Sequence, residues 1–336
     1  MEKKRLVQVM NLFLGGALFL SGCTQRDEFD ASLRIRLGAG TQQVQSRGAV
    51  NDLAGLSAVG GNVGIYSMVT ESSSGTTLPG EVWGNTPLMD NIRTTSIDAS
   101  TGAIGWAGNY TYPVEEGRYV RFCAYHPYAA AGLSGSNYVV APAANRAPEL
   151  YFTLTGSEDV MYATPVTGSK SVTPGTLIFN HALTQIRFRI VDETGNFSGE
   201  TLNAITFNGV NTASSLNLES GALGSWGTPS DAISAGVSTP LSITGTTATP
   251  QEVGNPVMLQ PGQASFSLKV VTSKGTFGAV SIRPTSSTDG GSTTESSFAA
   301  GRSYLVTLIF RSLTQLTATA TVTPWVMDGT GEGIVQ

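Results

Sequence analysis

The chain has 336 residues, which is long for a single β-domain and comfortable for two. Only 13% of the residues are charged and the net charge is −5, which excludes a basic surface for nucleic acid. Two histidines and two cysteines leave little material for a metal centre, a disulfide framework or imidazole chemistry, while a hydrophobic fraction of 40% argues against disorder.

Residues 1–22 have the pattern of an export signal. A basic start at residues 3–5 precedes the apolar stretch 12–20, which is shorter than the roughly 20 residues needed to span a bilayer. The sequence Leu20-Ser21-Gly22-Cys23 resembles the lipobox of bacterial lipoproteins. This resemblance implies that Cys23 receives a lipid, becomes the mature amino terminus and attaches the protein to a membrane. The alternative is an ordinary signal peptide followed by a chance cysteine.

A short alternating stretch follows the predicted lipid site, within residues 23–47. Leu33, Ile35 and Leu37 alternate with polar residues, so their side chains share one face of a predicted strand. Arg47 and Gly48 lie in a polar connection, where an arginine-specific, trypsin-like protease could cut. Such a cut would remove the lipid and the strand together, which makes residues 23–47 a candidate propeptide. The alternative is an ordinary strand of its own domain and an ordinary arginine.

The rest of the chain predicts strands. Ile186, Phe188 and Ile190 alternate with arginines, and similar short stretches recur between Gly-, Ser- and Thr-rich turns. This pattern is typical of an all-β sandwich or barrel. The polar turn at residues 170–175 predicts a boundary between an N-terminal domain, residues 48–173, and a C-terminal domain, residues 174–336.

The C-terminus offers a strand that could replace a removed one. Its predicted strand alternates small or apolar residues with threonines, and the tail ends in two further apolar residues. Strand addition between chains is a known recognition mode, and head-to-tail repetition gives an open filament. The candidate donor residues are Leu316, Ala318, Ala320 and Val322 in the strand, and Ile334 and Val335 in the tail.

The remaining reactive residue types favour structural roles. Cys123 lies in an apolar strand pattern that favours a buried free thiol, and His126 would point to the opposite face. No second ligand lies at metal-binding spacing from His181, which favours a hydrogen-bonded structural histidine. Tryptophans such as Trp226 are interpreted as core residues rather than as a glycan-binding platform. We therefore expect no enzyme activity, no metal and no cofactor.

Several short segments, taken in order, carry a family resemblance over nearly the whole chain. They are Gly102–Trp106, Tyr112–Pro113, Phe122–Pro127, Asp159–Ala163, Phe179–Ile186, Phe298–Tyr304 and Val322–Trp325. With the lipobox, they make the chain similar to the fimbrillin family of Bacteroidales, the lipoprotein-derived subunits of type V fimbriae.

This resemblance implies two tandem β-sandwich domains of Greek-key, transthyretin-like topology. It further implies export to the outer membrane and cell surface, cleavage after Arg47, and polymerisation with other fimbrial subunits by donor-strand exchange, for cell adhesion. Because anchor subunits tend to lack the cleavage site, the presence of Arg47–Gly48 favours a stalk or tip role. The alternative is a surface-anchored lipoprotein or tip adhesin that binds a glycan or host protein and does not polymerise.

Overall fold

The computed structural model describes residues 33–41, 53–58, 60–70, 87–131, 137–140, 146–237, 240–288 and 291–323. Their regular secondary structure is almost entirely β-strand, with one short α-helix, α1 (Leu53–Ala58), and one 3₁₀ turn, Gly60–Asn62. The predicted all-β class is therefore confirmed.

The strands up to residue 181 are β1 (Ala39–Thr41), β2 (Gly64–Thr70), β3 (Met89–Ile97), β4 (Ile104–Trp106), β5 (Tyr119–His126), β6 (Tyr138–Val140), β7 (Glu149–Thr153), β8 (Met161–Ala163), β9 (Val166–Gly168) and β10 (Leu177–His181). The later strands are β11 (Thr184–Asp192), β12 (Thr201–Asn208), β13 (Val210–Asn211), β14 (Ala213–Asn217), β15 (Pro229–Ser230), β16 (Leu241–Ser242), β17 (Gln251–Leu259), β18 (Phe266–Thr272), β19 (Gly275–Ile282), β20 (Pro284–Thr288), β21 (Gly291–Thr294), β22 (Ser303–Ser312) and β23 (Gln315–Thr323).

The N-terminal half is built on an eight-stranded sheet whose central strands, β2 and β5, are buried on both faces. Its order is β1-β10-β8-β5-β2-β3-β4, with β9 also paired to β5. Successive residues of β5 enter different cores, because side chains alternate across a strand. Phe122 and Ala124 pack in one hydrophobic cluster with Ile35 and Phe179, whereas Cys123 packs in the other.

The C-terminal half places two sheets face to face. One has six strands in the order β17-β11-β22-β23-β20-β21, and the other has four in the order β16-β12-β18-β19. Aromatic rings join the two sheets, since Phe188 of β11 lies 5.8 Å from Phe207 of β12, and Phe310 of β22 lies 5.7 Å from Phe277 of β19, between ring centroids. The aromatic residues that alternate along these strands therefore form the core between the layers.

Strand pairing crosses the boundary expected between residues 173 and 174. β10 is hydrogen-bonded between β8 and β1, and its Leu177 and Phe179 are buried in the N-terminal cluster. β14 pairs with β7 in a three-stranded sheet, β14-β7-β6. Two strands from beyond residue 173 thus complete N-terminal sheets. The division into residues 48–173 and 174–336, and the tandem arrangement, stay predictions.

Cys123 is a free thiol with no exposed surface, as its strand pattern predicts. Burial raises the pKa of this thiol, so the reactive thiolate is not formed at neutral pH. A cysteine nucleophile at this position is therefore disfavoured.

We expect Cys123 to resist alkylation by iodoacetamide in the native protein and to react once the chain is unfolded in guanidinium chloride. Peptide mass mapping measures the modification. The control is Val114→Cys, because Val114 is 62% exposed and its replacement should be alkylated without denaturant. Equal labelling of the two positions in the native state would contradict the buried assignment.

Candidate strand-exchange site

The N-terminal segment, Leu33–Thr41, lies between two neighbours in the first sheet. Along one edge it meets residues 102–112 in antiparallel orientation, with isolated bridges at Arg34 and Gly38. Along the other edge, β1 runs parallel to β10, with Ala39 opposite Leu177. The segment is thus an internal element of the fold and not an external tether.

Four backbone hydrogen bonds hold the first edge. The N–H groups of Tyr112 and Ile104 donate to the carbonyls of Leu33 and Leu37 at 2.9 and 3.0 Å. The N–H groups of Ile35 and Ala39 donate to the carbonyls of Tyr110 and Gly102 at 3.0 and 2.8 Å. The ladder is irregular, because Leu37 comes two positions after Ile35 in the chain, while their partners Ile104 and Tyr110 are six positions apart. Regular strand is consequently limited to Ala39–Thr41, shorter than the alternation alone predicts.

The second edge is held by β10. The Leu177 N–H donates to the Gly38 carbonyl at 2.9 Å, and the parallel pairing continues to Thr41 opposite Phe179. Because both edges are paired, loss of the segment would leave unpaired backbone groups on two sides of the gap.

The apolar side chains of the segment enter the N-terminal core. Ile35 is 1% exposed, Leu37 is 4% exposed and Leu33 is half-buried, whereas Arg34 and Arg36 are exposed. Burial of Ile35 and Leu37 contributes roughly 1.5–3 kcal/mol each, as an upper bound. The alternation in the sequence therefore correctly predicts that the apolar residues of the segment face the core and the arginines face the solvent.

We call the space that the segment occupies the acceptor groove. Without the segment, the groove would present the N–H groups of Ile104, Tyr112 and Leu177 and the carbonyls of Gly102 and Tyr110. Its floor would be the apolar side chains that now contact the segment in the cluster. An extended chain with alternating apolar residues could satisfy both features, because its backbone pairs while every second side chain fills the floor.

Gly102 allows the segment to approach this closely. Its φ is +73°, and a Cβ atom added there would lie 2.3 Å from the Ala39 carbonyl oxygen. The glycine is needed both for its left-handed backbone and for the contact.

The candidate donor strand, β23, is part of the chain's own sheet. It pairs with β22 along its whole length, and Ala320 and Thr321 pair with β20. Ala320 is buried, and Leu316, Ala318 and Val322 are half-buried against the core. A donor role for these four residues would require β23 to leave this sheet.

Five other predicted site residues lie outside the described part of the chain. They are Cys23, Arg47, Gly48, Ile334 and Val335. In the part of the chain that the structure describes, no helix is long and apolar enough to span a bilayer.

The histidines have structural surroundings. The Nδ1 atom of His181 lies 2.7 Å from the Asp159 carboxylate, and both side chains are almost wholly buried. The Nδ1 atom of His126 lies 3.0 Å from the Asn62 carbonyl, and burial lowers the pKa of His126. Within the described ranges, no group of three His, Cys, Asp or Glu residues could hold a metal ion.

The sequence missed the residues that receive the segment. In the sequence, Gly102, Ile104 and Tyr112 appear only as parts of short motifs. Their backbone hydrogen bonds with residues 33–39 form only in the folded chain. A glycine before a short strand was the available signal, since an αL glycine often marks a close backbone approach.

Comparison with known proteins gives a consistent family. A model of the fimbrillin-like family matches residues 57–325. Two solved structures assigned to cell adhesion share the fold. The one from Bacteroides uniformis has a TM-score of 0.55 and 18% identity, and the alignment covers 87% of this chain and 99% of that one. The one from Bacteroides ovatus has a TM-score of 0.56 and 17% identity, and the alignment covers 88% of this chain and 99% of that one.

A third structure, a fimbrial protein from Bacteroides vulgatus, has a TM-score of 0.53 and 15% identity, and the alignment covers 87% of this chain and 99% of that one. At these identities the likeness shows the fold. No curated protein matches the chain.

We expect Gly102→Ala to lower the free energy of unfolding by at least about 2 kcal/mol, because it adds left-handed strain and displaces the Ala39 carbonyl. The control is Gly117→Ala, where φ is +75° and nothing lies within 4 Å of an added Cβ. That variant should cost about 1 kcal/mol, from backbone strain alone. Urea titration of both variants measures the difference, and equal costs would contradict the close approach.

Proposed function

Since the chain belongs to the fimbrillin-like family, we propose that it is a structural subunit of a bacterial surface fimbria, in a stalk or tip position, and serves cell adhesion. The observation that carries the proposal is the N-terminal segment. Its Ile35 and Leu37 side chains are buried and its backbone is paired on both edges, yet it lies immediately before a polar connection that contains an arginine.

Maturation is proposed to proceed in two cuts. The first removes residues 1–22 and leaves Cys23 as the lipidated amino terminus at the outer membrane. The second, made by an arginine-specific, trypsin-like protease, breaks the Arg47–Gly48 bond. This second cut releases the lipid and the N-terminal segment together and opens the acceptor groove.

The C-terminal tail of another subunit is proposed to fill the groove. Strand β23 is disfavoured as the donor, because its removal would break its pairing with β22 and expose Ala320 of its own core. If the tail that carries Ile334 and Val335 is the donor, β23 can stay paired with β22 in its own subunit. The partners of the chain are thus other fimbrial subunits, and head-to-tail repetition gives a filament.

A second candidate function is that of a surface-anchored lipoprotein or tip adhesin that does not polymerise. One observation favours it: in the uncleaved chain the groove is already filled by the chain's own segment, so the lipidated protein is a complete fold. Host glycans or proteins would be its partners. Persistence of residues 33–41 in the surface protein distinguishes this function from the first.

We expect Arg47→Ala to abolish polymerisation and to leave an exported, lipidated monomer, since the groove stays occupied. SDS-resistant oligomers and the amino-terminal sequence of surface material are measured. Wild-type polymer should begin at Gly48.

The matched control is Arg36→Ala. Arg36 is exposed but lies between two buried residues of the paired segment, where a protease cannot easily bind an extended chain. Normal polymer is expected from this variant. Normal polymer from Arg47→Ala as well would contradict the proposed cleavage.

A further inference from the structure

The outer face of the sheet β14-β7-β6 carries a groove unrelated to the strand-exchange site. Register places Tyr138 opposite Tyr151, and Tyr151 opposite Ser215. These residues line a cavity of about 380 Å³ together with Ala213, Ser225 and Trp226. We call it the aromatic groove.

One wall of the groove is a stacked tyrosine pair. The rings of Tyr138 and Tyr151 are 5.0 Å apart between centroids and only 2° from parallel. Both side chains belong to half-buried residues on the solvent side of their strands, whereas their neighbours Val139 and Leu150 are buried in the core. Cross-strand stacking therefore holds two aromatic rings in place at the surface.

The groove is deep at its floor because the side chains there are small. Ala213 and Ser215 lie on β14, and the chain at residues 224–227 runs beside them as a further extended edge. The N–H groups of Gly224 and Gly227 donate to the carbonyls of Ser215 and Ala213, each at 2.8 Å. Two strand spacings, each about 4.8 Å, separate β7 from this edge.

Trp226 is also among the residues that line the cavity. It is half-buried, and its ring meets that of Phe152 edge-on, with centroids 5.9 Å apart and an angle of 78°. The expectation of a tryptophan in the core is thus met only in part, since Trp226 packs on the core and also lines the groove.

Hydroxyl groups in the groove are oriented by one carboxylate. Ser215 Oγ donates to Glu149 Oε1 at 2.6 Å, and the Tyr151 hydroxyl donates to Glu149 Oε2 at 3.1 Å. Because its hydrogen is directed to Glu149, the Tyr151 hydroxyl oxygen keeps lone pairs that can accept hydrogen bonds from a ligand, whereas Ser215 is buried and helps to fix the carboxylate.

We propose that the aromatic groove binds a neutral carbohydrate. The C–H face of a sugar ring packs on the electron-rich face of an aromatic ring, and its hydroxyls can donate to the oriented oxygen of Tyr151. The described residues that line the groove are uncharged, and the Glu149 carboxylate that binds two of their hydroxyls disfavours an anionic ligand.

This binding does not depend on strand exchange. The groove is built by β6, β7, β14 and residues 224–227, and the N-terminal segment contributes nothing to its lining. A subunit that never polymerises would keep it, and a polymer would repeat it along its length.

The full-length protein in detergent is tested on a printed array of neutral oligosaccharides with sialylated and sulfated counterparts, and the best neutral oligosaccharide is then titrated by calorimetry. We expect neutral binders, and about tenfold weaker binding by Tyr151→Ala. Ser225→Trp fills the groove at an exposed position and tests it without removing an aromatic residue. The control, Tyr128→Ala, removes a half-buried tyrosine that contacts Arg93 elsewhere.

Several results would overturn the proposal: no binding of neutral glycans, binding of sialylated or sulfated glycans alone, or unchanged affinity in both Tyr151→Ala and Ser225→Trp. Equal loss in Tyr128→Ala would show a general effect on the fold and would also overturn it. Polymerisation of the groove variants is measured in parallel and should be normal, so that a failure here is distinct from a failure of strand exchange.

Discussion

The structure depends on a simple constraint: a missing strand inside a sheet would expose unpaired backbone groups and the apolar side chains of the core beneath it. The N-terminal segment fills such a gap, with hydrogen bonds to residues 102–112 on one side and to β10 on the other. Its position is specified by this pairing and by the burial of Ile35 and Leu37. The same interactions would accept any extended chain with a suitable alternation of side chains.

The pairing of β10 links this gap to the rest of the fold. β10 contacts the N-terminal segment through Leu177 and Phe179, and only two residues separate its end at His181 from the start of β11. β11 is in turn an inner strand of the six-stranded sheet, beside β22. An occupied groove therefore supports a strand that leads directly into the second core, and a vacant groove would withdraw that support.

The sequence predicted what depends on local alternation and missed what depends on long-range pairing. The all-β class, the buried Ile35 and Leu37 and the free Cys123 follow from period-two patterns and burial preference. The boundary that the polar turn near residue 173 suggests stays a prediction, whereas the hydrogen bonding of β10 and β14 to the N-terminal sheets is decided by partners far away in the chain. The partners of the N-terminal segment, Gly102 to Tyr112, were hidden for the same reason. So was the stacking of Tyr138 on Tyr151, which register alone creates.

Hydrogen exchange with peptide mass analysis of the assembled polymer tests strand exchange most directly. The account predicts that residues 33–41 are absent from the polymer, while the amides of Ile104, Tyr112 and Leu177 exchange as slowly as in the lipidated monomer, because another chain has paired with them. Residues 33–41 retained in the polymer would contradict the account. So would their absence together with rapid exchange of these amides, since the groove would then be open and unfilled.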